Sequence, residues 1–222
     1  SATSARALTI TAGTGTVTFT GAVGGAVNGP LGATSITAAS VIHSSTVVGS
    51  STYEVTGNAT FGGAVSGVTN LSVSGTSAIN ANITSSGTQI YTGNATLGTD
   101  ASLTATTVTF KGTVSGAYGL AITGNAVFGD GTADTVTLSG TGKNLSVSGT
   151  TSIYTNSITT SGTQTYTGAV TVNAGLTLSA SGITTGSTLA ASANALTLTT
   201  DAIALGGAVS GTSTLVIQPK TD

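Results

Sequence analysis

The chain has 222 residues, of which only four are Lys or Arg and six are Asp or Glu, with 33 Gly, two Pro and no Cys, Met or Trp. The apolar content and low charge exclude a disordered composition, and the shortage of Leu, Glu, Lys and Arg beside abundant Val, Ile and Thr excludes a mainly helical one. Four scattered cations, Arg6, Lys111, Lys143 and Lys220, cannot neutralise a phosphate backbone, which argues against nucleic acid, and no apolar run is long enough to insert in a membrane as a helix.

In chain order, the opening SATSARALTI lacks the basic flank and apolar run of a secretion signal, so the chain reads as a mature protein or an excised segment. The absence of cysteine fits a reducing compartment or a secreted protein held together by strand pairing. Phe19-Gly21-Val23-Gly25 introduces a pattern that returns as Phe61-Gly63-Val65-Gly67, Phe110-Gly112-Val114-Gly116 and Leu205-Gly207-Val209-Gly211, four equivalent corners. NGPLGA, around Pro30, predicts an irregular loop near 28–33 within an otherwise single repetitive unit spanning 1–222.

From Thr34 a twelve-residue step takes over. It runs through TSITAASVIHSS and TVVGSSTYEVTG and is clearest from Asn58 to Ala105, where Asn58, Asn70, Asn82 and Asn94 recur at that spacing. It then slips and resumes at Thr107, Gly119, Asn144 and Asn156. A longer echo lies over it, because NLSVSGT at 70–76 returns at 144–150 and SGTQ with its following Tyr and TG at 86–93 returns at 161–168.

Within each unit apolar residues alternate, as at Leu71 and Val73, and break at Gly or Ser before a second short apolar group, which reads strand, turn, strand, turn. Strands this short bury too little to stand alone, so each must be completed by the next copy of itself. The expected fold is therefore all-β: a parallel β-solenoid, a right-handed β-helix of ~12-residue strand-turn units. At about 3.3 Å per residue one unit makes a flattened two-sided coil, and one and a half units make a three-sided one. A β-sandwich filament subunit is the alternative; a membrane barrel lacks its aromatic girdles. Stacking at about 4.8 Å turns Asn58, Asn70, Asn82, Asn94, Asn144 and Asn156 into a predicted amide ladder at the turns.

LTITAGTGTVTFTGAVGG, SITTSGTQTYTGAVTVNAGLTLSASG and the closing LGGAVSGTSTLVIQP resemble the β-strand repeats of very large secreted bacterial proteins related to filamentous haemagglutinin. The resemblance covers most of the chain. It implies export to the cell surface, a fibrous stalk or adhesin, and ends that are cuts in a longer array. The NGPLGA interruption and the one-residue slips depart from that regularity.

The chemistry-bearing residues are few. His43, the only histidine, has no Cys or acidic partner nearby in sequence, so it reads as a packed or turn ring rather than a ligand. Asp130 and Asp134 in FGDGTADTV suggest a calcium turn, but one pair of carboxylates supplies too few of the six to eight oxygens calcium takes, and an Asp-Gly turn explains them. Asn-x-Ser/Thr triplets at Asn58, Asn70, Asn82, Asn94 and Asn144 are glycosylation acceptors in form, though the repeat already accounts for them. Thr16-Thr18, Thr107-Thr109, Thr135-Thr137 and Thr197-Thr199 suggest a crystal- or ice-matching face with gaps, and Tyr53, Tyr91, Tyr154 and Tyr166 suggest stacking surfaces for sugars or caps on the core. Glu54, Asp100, Asp130, Asp134, Asp201 and Asp222 are too dispersed for acid–base catalysis, so no enzyme and no cofactor is expected. The expected function is a structural segment of an extracellular bacterial fibre or adhesin stalk, its partner being itself, through continuing repeats or end-to-end copies. The alternative is a surface-binding module for glycan, a host surface or ice.

Overall fold

The computed structural model of the chain describes residues 5–25, 29–49 and 51–221. It contains 25 strands and no helix among those residues, and the strands pair in parallel along about ten stacked coils. The one antiparallel bridge among the described residues joins Gly25 to Gly29. Parallel pairing of successive short segments excludes the sandwich alternative, since every strand finds its partner in the next coil rather than across a globular centre.

The coil is three-sided. Tyr53–Phe61 supplies a first and a second face, and Val65–Val68 supplies the third. In the next coil Leu71 lies beside Tyr53, Ser77 beside Ala59 and Ile83 beside Val65. Each step is 18 residues, one and a half of the twelve-residue repeats. The structural quantum is thus a six-residue face: an inward-outward-inward triplet such as Leu71–Val73, buried at its two ends, followed by a three-residue corner.

The duplicated blocks show that the three faces are interchangeable. Leu71 of the first NLSVSGT lies on the first face, beside Tyr53, whereas Leu145 of the second lies on the third, beside Leu120. The four Phe/Leu-Gly-Val-Gly patterns likewise turn corners, but at three different edges of the prism: Phe19 and Phe61 end the second face, Phe110 the first and Leu205 the third.

Where the chain crosses an edge without leaving strand pairing, glycine is required. Gly57 and Gly124 sit mid-strand at φ +130° and +126°, and a Cβ on either would lie 1.8 Å from the carbonyl oxygen of Ala38 or Ala105 in the coil before. The expected 28–33 interruption begins at Asn28, outside the described residues. Gly25 N donates to Gly29 O at 3.1 Å, and the chain is already in strand over Leu31–His43, so the irregularity ends earlier than 33.

Inward side chains fill a narrow core of Val, Leu, Ile, Ala and stacked rings. Tyr91, Phe110 and Phe128 stack on the first face with centroids 5.0 and 6.1 Å apart; Phe19, His43 and Phe61 stack on the second at 4.9 and 5.9 Å. Two buried glutamines brace the interior. Gln89 Nε2 donates to Ile83 O and Thr104 O, and its Oε1 accepts from Tyr91 OH at 3.1 Å. Gln164 repeats this with Ile158 O, Ser179 O and Tyr166 OH, on a different face. Burial pushes the phenols of Tyr91 and Tyr166 well above the usual tyrosine range, so both remain donors.

Candidate functional site

The asparagines occupy edges of the prism, and their side chains join one coil to the next. Asn58 Oδ1 accepts from Thr76 N at 2.8 Å and Thr76 Oγ1 at 3.0 Å. Asn70 does the same with Thr88, Asn144 with Thr163, and Asn82 and Asn94 accept from Ser102 N and Thr113 N. Because a coil is one and a half repeats, equal asparagines cannot meet in adjacent coils. Asn58 and Asn94 share an edge two coils apart with Thr76 between them, while Asn70 and Asn82 lie on the other two edges. The expected Asn-on-Asn ladder is replaced by an alternating Asn–Thr staple. Asn156 sits at an edge where its carbonyl accepts from Thr177 N.

Asp100 and Asp201 take the asparagine role, accepting from Gly119 N at 2.8 Å and from Lys220 N and Thr221 N at 2.9 and 3.0 Å. The Thr221 amide holds the Asp201 carboxyl below the usual carboxylate range. Asn58→Ala is therefore expected to lower stability by about 1 kcal/mol, and Asn58→Asp to stay near wild type at neutral pH. Thermal unfolding of the two variants checks this.

The tyrosines divide. Tyr53, Tyr91 and Tyr166 are buried in the core, so as sugar-stacking surfaces they are corrected to core residues; Tyr154 is 41 % exposed. Tyr118, which sequence reasoning passed over, is 37 % exposed. The Thr-x-Thr pairs also redistribute. Thr107-Thr109 belongs to the first face and Thr16-Thr18 to the first coil of the second. On the second face, register aligns Thr113-Ser115, Thr135-Thr137, Ser157-Thr159, Thr177-Ser179 and Thr197-Thr199 in successive coils. The gaps inferred from linear spacing are closed there by coils of unequal length. His43 is buried in the second-face ring stack, its Nε2 2.7 Å from Tyr53 OH. Glu54 is exposed on the first face, and Asp222 lies outside the described residues.

One coil breaks the regularity. Ala126 pairs with Val108 18 residues before it, but with Thr151 25 residues after it. The extra residues form two excursions, one on each side of the strand Thr135–Leu138. In the first, Gly129 turns at φ +77° and Asp134 Oδ2 accepts from Asp130 N at 3.4 Å. The two carboxylates thus close their own turn, and no group of three or more His, Cys, Asp or Glu suited to a metal occurs among the described residues. Tyr154, Thr109, Lys111 and Val127 flank this excursion.

The second excursion, Gly140–Lys143, is tied to the following coil: Ser161 Oγ donates to Gly140 O, Lys143 N donates to Ser161 Oγ at 2.9 Å, and Gly162 N donates to Lys143 O at 2.9 Å. Lys143 Nζ reaches back across the coils to Asp100, 2.9 and 2.8 Å from its two oxygens, and lies 5.8 Å from the Tyr118 ring centroid. The Gly119 amide first, and then Lys143, hold the Asp100 carboxyl below its usual range. Beside this pair a groove of about 460 Å³ opens on the third face, walled by Asn82, Ser102, Asn144 and Ser146. Half of the chain's ten charged residues, Asp100, Lys111, Asp130, Asp134 and Lys143, and both exposed tyrosines gather around this one elongated coil. The signal in the sequence was the lapse of the twelve-residue step between GLAITGNAVFGD and NLSVSGT, without which Lys143 and Asp100 appear unrelated. Compared with protein-family models, curated proteins and solved structures, the chain matches none.

Proposed function

We propose that this chain is a structural segment of an extracellular bacterial fibre or adhesin stalk, of the kind its repeats resemble, and that coils add to its ends. The supporting observation is the open core at the last described coil. There Ile203, Leu205, Leu215 and Ile217 occupy inward positions, in register with Ile183, Thr185, Leu196 and Leu198, yet Ile217 is 52 % exposed and the others are also open to solvent. Uncovered core positions beside unpaired strand edges are what another coil would complete, whether from the same chain or a second copy. Sedimentation across a concentration series tests this. The wild-type chain is expected to form end-to-end multimers that lengthen without thickening, and Ile217→Lys is expected to shift them to monomer; a monodisperse wild-type monomer at high concentration contradicts the reading.

A second reading, a face that binds ice, is favoured by the five aligned hydroxyl pairs on the second face, an uncharged, regular array of β-branched and small side chains. Wild-type inhibition of ice recrystallisation that is lost in Thr159→Lys supports it; an inactive wild-type chain contradicts it.

A further inference from the structure

The geometry points to a saccharide-binding site in the third-face groove beside Lys143 and Asp100, taking a neutral sugar chain. Neither a stalk nor an ice-binding face requires this groove, so the inference stands apart from both readings. Regular coils continue on each side of the elongated one, and the solenoid has no structural need of the extra residues at Gly140–Lys143. An irregularity kept within an otherwise uniform array is where function is expected. These residues raise one wall of the groove and carry the only ion pair among the described residues to its rim.

The wall chemistry selects the ligand class. Asn82 and Asn144 spend their Oδ1 atoms on Ser102 N and Thr163, which leaves their Nδ2 groups without a protein partner among the described residues. Ser102 and Ser146 add hydroxyls that both donate and accept, in register on either side of Ala121. The Asp100 side chain is 63 % exposed and that of Lys143 29 %. An adjacent acceptor-only and donor-only pair matches a vicinal diol: one hydroxyl donates to the carboxylate while its neighbour accepts from the ammonium. Ala121 and Leu120 give the floor an apolar strip for the C–H face of a pyranose ring. Asp100 disfavours an anionic ligand and Lys143 a cationic one, which leaves an uncharged polyol as the best fit. The groove runs across successive coils, so a linear chain lies along the fibre axis.

The test is titration of the full chain with cellobiose, maltose, lactose and N,N′-diacetylchitobiose at millimolar concentration, followed by amide chemical shifts. At least one disaccharide is expected to give saturable shifts centred on Ala101, Ala121 and Ser146. Lys143→Gln is expected to weaken binding by about tenfold or more, and Ala121→Tyr, which fills the groove without touching the excursion, to abolish it. Thr171→Ala on the first face should leave binding unchanged. The inference is overturned if none of the four sugars gives saturable shifts, or if binding survives Ala121→Tyr in a chain with wild-type circular dichroism. Either failure leaves the multimerisation and ice assays unaffected.

Discussion

Phe110→Ala is expected to cost about 3–5 kcal/mol of folding stability, several times the loss expected for a corner asparagine. The ring is fully buried and lies between Tyr91 and Phe128, 5.0 and 6.1 Å away. Its strand is paired on both sides, to Thr88–Tyr91 before it and to Leu120–Phe128 after it, so the backbone cannot close on the space left behind. In a stack whose coils contact only their neighbours, damage at the middle also uncouples the two halves. The melting curve is therefore expected to broaden or split as well as shift. Thr109→Ala, one residue away on the outward side, is expected to stay within about 0.5 kcal/mol of wild type. A Phe110→Ala loss below about 1 kcal/mol would mean that the rings do not form the core.

Acidification from pH 7 to about pH 4 is expected to destabilise the first coils by on the order of 3 kcal/mol through one residue, His43. The imidazole is stacked between Phe19 and Phe61 and accepts from or donates to Tyr53 OH through Nε2, while Nδ1 has no partner. Burial pushes the Tyr53 phenol above its usual range, so its proton stays on the oxygen and the neutral ring accepts it. Desolvation lowers the His43 pKa from 6.5 to about 4. Because the folded value lies below the unfolded one, the contribution is complete above about pH 6.5 and is lost progressively as pH falls towards 4, where the unfolded chain binds a proton that the folded chain refuses. His43→Phe continues the ring stack and should remove this dependence. If wild type and His43→Phe lose stability in parallel between about pH 7 and pH 4.5, the histidine is not held neutral in the core.

The fold was legible because one signal, the recurrence of short alternating segments, carries both strand and stacking. The count of sides was not. A twelve-residue period is what two faces of a three-faced coil produce, and only pairing Tyr53 with Leu71 and Ala59 with Ser77 shows that the third face borrows half of the next repeat. The same arithmetic turned the expected asparagine ladder into an alternation with threonine. Gln89 and Gln164 were visible only as parts of a duplicated SGTQ string. That each would be buried and satisfied by two carbonyls and a tyrosine depends on interior distances that no linear spacing reports. The groove was the least legible feature, since Asp100 and Lys143 are 43 residues apart and meet only because an elongated coil swings one back over the other.

The central claim is that successive 18-residue steps, lengthened where excursions intervene, climb a single axis. Pulsed electron–electron distance measurement between spin labels on the outward second-face positions tests it most directly. Thr60 is four coils from Thr137 and seven from Thr199 along an unbroken register. At about 4.8 Å per coil the two label pairs are expected near 19 Å and 34 Å. Equal separations, or a Thr60–Thr199 pair closer than Thr60–Thr137, would contradict the stack.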